Sequence, residues 1–176
     1  MFMLPQVHVY IAVSLDGFIA RDNGALDWLE PMQVEGEDYG YADFYGSIDA
    51  LILGRSTYDS VLAFPQWPFE GKRVVVLTHR ALDAKHGEGA HAGALEPLLH
   101  ALGRDGVTAV YLDGGQAVRQ CLREGLVDTL TLNIVPVLLG RGRPLFDAQV
   151  PASSWVLAGS RPFSTGLVQN RYRRQP

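Results

Sequence analysis

Apolar side chains come in short bursts along this chain, and the spacing inside each burst predicts its geometry. Val7 to Val13 (VHVYIAV) is nearly continuous in apolar and β-branched residues, the pattern of a buried strand. Ser14 to Pro31 carries two turn signals, Asp16-Gly17 and Asn23-Gly24, and reads as a long loop. Phe44, Tyr45 and Ile48 recur near helical spacing, which predicts a helix over Glu37 to Ile48. Ala50 to Leu53 is a short apolar strand running into Gly54, followed by a short helix over Arg55 to Leu62 and a loop with two prolines over Phe64 to Gly71. Arg73 to Leu77 is a third strand, stopped by Thr78-His79-Arg80. His86 to Gly93 is glycine-rich and stays open between loop and short strand. Leu95, Leu98, Leu99 and Leu102 form the apolar stripe of a helix over Ala94 to Arg104. Val107 to Leu112 is a strand ending at Asp113-Gly114-Gly115, and the helix over Gln116 to Arg123 stops at Gly125. Thr129 to Val137 alternates Thr129, Thr131 and Asn133 with Leu130, Leu132 and Ile134, a strand with one wetter face. Two final strands lie near Trp155 to Ser160 and Leu167 to Tyr172.

Strands alternate with helices until about residue 125 and then follow one another. The first half implies parallel pairing through helical crossovers, and the second implies antiparallel additions at one edge. The expected fold is a three-layer α/β/α domain, residues 1–176, with a mostly parallel mixed sheet and antiparallel C-terminal strands. No repeat, low-complexity tract or linker divides it.

Composition narrows the function classes. A net charge of −4 provides no basic field for nucleic acid. Arg171, Arg173 and Arg174 form a short run that reads as a solvated chain end. Cys121 is the single cysteine, so no intrachain disulfide forms, and its helical position suits a small core residue. The histidines have no paired ligand spacing, so no metal is expected. Met1 to Gln6 lacks a charged-then-apolar leader, and no apolar run approaches a membrane span of roughly 18 residues. A cytoplasmic protein without a membrane partner is the expectation.

Two strand-to-helix junctions carry the candidate chemistry: Leu51 to Tyr58 around Gly54, and Val110 to Val118 around Gly114-Gly115. Such junctions aim free backbone N–H groups and a positive helix end outward, and glycine lets an anion approach closely. Plain turns have the same composition. The three-glycine dinucleotide fingerprint is absent, and so is the phosphate loop, since Gln66 stands where its first glycine would be and Arg73 follows Gly71-Lys72. Thr78, His79 and Arg80, with Arg55, Ser56 and Thr57, have the guanidinium and hydroxyl composition that suits a 2′-phosphate, or that of helix caps and solvated arginines. In the long loop, Asp16 could serve a substrate or a turn, and Asp27 a substrate or a cap.

In order and spacing, VSLDGFIA (13–20), LDW (26–28), DALILGRSTYDS (49–60), VVVLTHR (74–80), VYLDGGQAV (110–118) and VDTLTLNIVPVLLGRGRPLF (127–146) resemble the dihydrofolate-reductase-like superfamily. They are most similar to the C-terminal reductase domain of the riboflavin-pathway deaminase-reductase and its stand-alone relatives, over roughly Val7 to Tyr172. The resemblance implies NADPH as cofactor. It implies that Ala12, Ile19 and Ala20 line the nicotinamide and that Gly54, Arg55, Ser56 and Thr57 take a phosphate-side helix start. By the same resemblance Thr78, His79 and Arg80 surround the 2′-phosphate, and Gly114, Gly115, Gln116 and Ala117, with Asp113 before them, hold the pyrophosphate. Asp16, Asp27 and Trp28 fall on the substrate side, with Asp16 as the substrate-orienting or proton-donating group.

True dihydrofolate reductases carry Leu-Pro-Trp where this chain has Leu26-Asp27-Trp28, and a carboxylate where it has Gln33. The riboflavin branch follows its Gly-x-x-Thr helix with Asp-Asn-Pro and Leu-Thr-x-Arg for the ribose phosphate, whereas this chain reads Asp59-Ser-Val-Leu-Ala-Phe-Pro65. The deaminase domain and its zinc ligands are not in the sequence. The implied activity is that of a 5-amino-6-(5-phosphoribosylamino)uracil reductase-like enzyme. Its alternatives are a pterin or small-carbonyl reductase and a non-catalytic nucleotide-binding protein. A homodimer with a small-molecule substrate completes the expectation.

Overall fold

The computed structural model describes residues 3–176; the first two residues of the Met1–Gln6 stretch lie outside the described residues. The strands are β1 (Gln6–Ser14), β2 (Phe18–Ala20), β3 (Ala50–Gly54), β4 (Arg73–Leu77), β5 (Gly89–His91), β6 (Ala109–Asp113), β7 (Thr129–Val135), β8 (Arg143–Pro144), β9 (Trp155–Pro162) and β10 (Val168–Arg174). The helices are α1 (Tyr41–Gly46), α2 (Arg55–Leu62), α3 (Leu95–Arg104) and α4 (Gly115–Arg123).

Eight strands form one sheet in the order β5-β4-β3-β6-β1-β7-β10-β9. All pairs from β5 to β7 are parallel, and β10 pairs antiparallel with both β7 and β9. β2 and β8 form a separate two-stranded ribbon. Helices α3 and α4 bury Leu95, Leu99, Leu102, Val118 and Cys121 against Val7, Val9 and Ile52 on one face. Helices α1 and α2 pack Phe44, Tyr58 and Val61 against Leu51, Leu53 and Tyr111 on the other. Each fully buried Leu or Val contributes about 1.5–3 kcal/mol, so these two cores hold the three layers together.

The helix expected over Glu37 to Ile48 is only Tyr41–Gly46. Gly36, Tyr39 and Gly40 all have left-handed backbone (φ 80°, 57° and 79°), which no right-handed helix accommodates. The Asp38 carboxylate receives the N–H groups of Gly40 and Ala42 and starts the helix late. The loop expected over Ser14 to Pro31 contains β2 and a 3₁₀ turn, Asp27–Met32. Arg171, Arg173 and Arg174 are not a chain end but part of β10, paired with β9 and β7. No helix among the described residues is long and apolar enough to cross a membrane.

Candidate active site

The parallel strands all end at one edge, where Ser14, Gly54, Leu77 and Asp113 are followed by loops or helix starts. The adjacent pair β3–β6 brings the two glycine junctions together. A Cβ placed on Gly114 (φ +108°) would lie 2.8 Å from Thr57 Oγ1 and 3.2 Å from the Gly54 nitrogen. A Cβ on Gly54 would sit 3.7 Å from both Gly114 Cα and the buried Ala117 Cβ. Helices α2 and α4 therefore begin side by side, with their unpaired N–H groups facing the same edge. Gly115 lies under Ile19, whose Cδ1 would be 2.5 Å from a Cβ there. This is a backbone cradle of the kind a pyrophosphate requires.

The structure also brings the two arginine-bearing segments together. Arg55 donates to Thr78 Oγ1 (3.3 Å) and to the Ala81 carbonyl (3.3 Å), and its Nε pairs with Asp59 at 2.9 Å. Arg80 lies 3.8 Å from the same Asp59 carboxylate. Thr78 accepts the Arg80 backbone N–H at 3.1 Å. Ser56, His79 and Gln116 are exposed along this rim. Guanidinium groups, hydroxyls and helix starts thus share one rim, a composition that suits phosphate oxygens.

Other expected residues make contacts within the scaffold. Asp16 is exposed; its Oδ1 accepts from the Ser14 hydroxyl (2.6 Å) and the Leu139 N–H (3.0 Å), and its Oδ2 from the Gly140 N–H (2.7 Å). The Ser14 hydroxyl, with these backbone donors, holds its pKa below the ordinary carboxylate value. With both oxygens engaged, this carboxylate ties the loops after β1 and β7 together. Asp27 forms a two-pronged pair with Arg21 (2.6 and 3.0 Å) on the surface. Ala20 is buried beneath Gly142 in the β2–β8 ribbon.

Trp28 is buried against Met32, Val135 and Leu167, with Ala12 packed on the same cluster. Its Nε1 is the one fully buried side-chain polar atom with no hydrogen-bond partner among the described residues. An unpaired buried donor costs about 1–3 kcal/mol, and such donors persist where a ligand or water supplies the acceptor. Beside it, β1 and β7 pair Ala12 with Asn133, which is 4% exposed. Gln169 donates to Asn133 Oδ1 (2.7 Å) and to the Tyr39 carbonyl (2.8 Å), and Tyr10 donates to that same carbonyl at 2.8 Å. Tyr39 is the one non-glycine residue with left-handed backbone among the described residues, and its hydroxyl donates to the Met32 carbonyl at 2.6 Å. Burial and the Asp38 charge push the Tyr10 pKa up to about 12, so it stays a donor.

Asp113 ends β6 on the sheet face shared with Tyr111 and Tyr10. Burial raises its pKa, against the Gly114 N–H (2.9 Å to Oδ1) and the neighbouring Tyr111 hydroxyl, which favour the charged form. Sequence reasoning placed Asp113 on the cofactor side and missed Tyr10, Tyr39, Asn133 and Gln169. The polar alternation in Thr129 to Val137 was the one available signal, for Asn133.

The family model of the RibD C-terminal domain matches residues 5–169. The chain belongs to the RibD C-terminal domain family. It is 35% identical to the uncharacterized protein YwjB of Bacillus subtilis, over 94% of this chain and 96% of that one. A structure from Shewanella sp. PV-4 that carries a provisional riboflavin-biosynthesis description is 33% identical, with a TM-score of 0.90 over 99% of this chain and all of that one. Dihydrofolate reductase of Enterococcus faecalis complexed with NADP(H) shares the fold at 14% identity, with a TM-score of 0.68 over the full length of both chains. The fold is thus dihydrofolate-reductase-like, and the RibD C-terminal domain is a reductase domain.

Proposed function

We propose that this family member is an NADPH-dependent reductase of the riboflavin-biosynthesis type, acting on a pyrimidine ribosylamine or a similar small heterocycle. The carrying observation is the contact between Gly54 and Gly114, which sets two helix starts side by side next to Arg55, Thr78 and Arg80. Gly54, Arg55, Ser56, Thr57, Gly114, Gly115, Gln116 and Ala117 would hold the phosphates, with Thr78, His79 and Arg80 at the 2′-phosphate. Ala12, Ile19 and Ala20 would border the nicotinamide. Bound NADPH supplies a hydride to the electrophilic carbon of a C=N or C=O group.

The chain's own residues orient the substrate and supply the proton. Trp28 offers its unpaired indole N–H to a substrate acceptor. Asn133, fixed by Gln169, sets the polar wall beside Ala12. Asp113, whose pKa is raised by burial, is the carboxyl at the end of β6 that would deliver the proton the substrate heteroatom takes up. A pterin reading lacks its carboxylate: Gln33 is exposed, and Asp38 is committed to the start of α1.

The test is a fluorescence titration with NADPH and NADH, alongside an Arg55→Ala/Arg80→Ala variant. The expected result is tighter binding of NADPH than NADH, with most of that preference lost in the variant. No binding of either cofactor to the native chain overturns the reading.

A further inference from the structure

A polar groove opens beside this site and shares Tyr10 and Gln169 with its wall. On the α1 side, beyond β1, the sheet presents Thr129 and Thr131 of β7 and Arg171 and Arg173 of β10 to open space. There, between α1 and the β9–β10 hairpin, runs a groove of about 680 Å³. Arg161, Arg171 and Arg173 line one wall, Asp43 stands on the other, and Thr131 contributes a hydroxyl, while the Ser160 hydroxyl is taken up by Asn170 Oδ1 at 2.6 Å.

Three features set this groove apart from an ordinary solvated strand face. None of the three guanidinium groups lies within 4.0 Å of a carboxylate among the described residues, and none has a hydrogen bond to the protein there. Two of them are nonetheless fixed in place. Arg171 lies over Gly159, where a Cβ would come within 3.0 Å of its Nη2, and Arg161 stacks 4.7 Å above the Phe163 ring. Thr131 is more than nine-tenths buried, yet its hydroxyl faces the groove without a protein partner.

Three guanidinium charges against one carboxylate leave two positive charges over, close to the −1.5 to −2 or so of a phosphomonoester at neutral pH. Guanidinium forks bind phosphate oxygens in pairs. A carboxylate opposite them repels a bare anion but accepts hydroxyl donors. The volume lies within the range of about 300–1,000 Å³ for small-molecule sites. We propose that the groove binds a sugar phosphate, with its phosphate on Arg161, Arg171 and Arg173 and its hydroxyls toward Asp43. Its inner end is formed by Tyr10 and Gln169, the residues that fix the Tyr39 carbonyl, so an occupant abuts the wall of the candidate active site. The proposal does not depend on the reductase reading.

The test is calorimetric titration of the full chain with ribose 5-phosphate, inorganic phosphate and ribose. It is run with saturating NADPH and again in Arg55→Ala/Arg80→Ala, so that phosphate capture at the helix starts is excluded either way. Ribose 5-phosphate is expected to bind under both conditions and ribose not to bind. Arg161→Ala/Arg171→Ala is expected to weaken it about tenfold or more, since each lost bond to a charged group is worth a factor of that order. The milder Thr131→Val should weaken it by less, with the melting temperature retained. Asp43→Asn should weaken ribose 5-phosphate while strengthening inorganic phosphate. No heat at millimolar ribose 5-phosphate, or equal affinity in the arginine variant, overturns the proposal. So does a dimer in sedimentation that Arg171→Glu dissociates, because the groove is then covered by a second copy.

Discussion

The two halves of the candidate site are built differently. On the cofactor side, each part is a strand running directly into a helix, with glycine at the join: Gly54 before α2 and Gly114-Gly115 before and within α4. On the substrate side, the parts come from five separate segments, carrying Tyr10, Trp28, Tyr39, Asn133 and Gln169. The first half is made of backbone and works through close approach. The second is made of buried side chains and works through mutual hydrogen bonding. A backbone cradle fails when an atom is added; a side-chain network fails when a donor or acceptor is removed.

The largest effect is expected from adding one atom to the cradle. Gly114→Ala places a methyl 2.8 Å from Thr57 Oγ1 and 3.2 Å from a backbone nitrogen, at a φ of +108°. Backbone strain and overpacking together cost about 2–5 kcal/mol. Thermal denaturation should record that loss, and NADPH titration should find no binding. Native-like stability with intact NADPH binding would remove Gly114 from the cradle.

The second effect separates the halves chemically. Asp113→Asn keeps the shape of β6 and is expected to leave NADPH affinity near native while turnover drops about a hundredfold or more, the usual contribution of a positioned acid. Native turnover should fall as pH rises through the raised pKa of Asp113, and that limb should be absent in the variant. The stability linkage has the same sign. A carboxyl whose folded pKa lies above its unfolded one stabilises fully below the unfolded value and loses that contribution as pH rises through the folded value. That contribution to native stability therefore fades across the window and is missing from the Asn variant. An unchanged pH–rate profile in Asp113→Asn would assign the proton to another group.

This contrast also explains what the sequence reveals. The parallel core and both glycine junctions are legible because strand, glycine and helix are contiguous, and the alternation of elements dictates parallel crossovers. The α1 boundary was not, because Tyr39 takes a left-handed backbone that nothing in its side chain announces; the Tyr10 and Gln169 bonds to its carbonyl support it. Asp16 looks like chemistry in a loop motif, but only the fold brings the Leu139 and Gly140 amides to it, 123 and 124 residues away. Contacts across such separations leave no local trace in composition or periodicity.

A third, smaller effect tests whether the unpaired indole donor is held for a ligand. Trp28→Phe removes a buried N–H that has no partner. Relief of about 1–3 kcal/mol of unsatisfied polarity offsets the packing lost with the smaller ring, so net stability should shift by no more than about 1 kcal/mol. With substrate, KM should rise by about 2–12-fold, the worth of one hydrogen bond of 0.5–1.5 kcal/mol or so. A large destabilisation with unchanged KM would make Trp28 a packing residue alone.

The smallest effect falls on Asp16, and it decides between chemistry and tethering. Its folded pKa lies below the ordinary value, so its contribution is present above the unfolded pKa and fades as pH falls through the folded one. Across neutral pH that contribution is constant, and a group fully ionised there imposes no limb on the rate. Asp16→Asn keeps one carbonyl oxygen but turns an amide donor toward the Gly140 or Leu139 N–H, so one of the two tethers is lost. The expected signature is faster hydrogen exchange at the Leu139 and Gly140 amides, with melting temperature and NADPH affinity close to native. Turnover should fall only modestly, because Ala12 and Ile19 stay on β1 and β2 while the loop after β7 loosens. A loss of turnover comparable to that of Asp113→Asn, with amide exchange unchanged, would return Asp16 to the reacting centre and dissolve the division of labour between the two carboxyls.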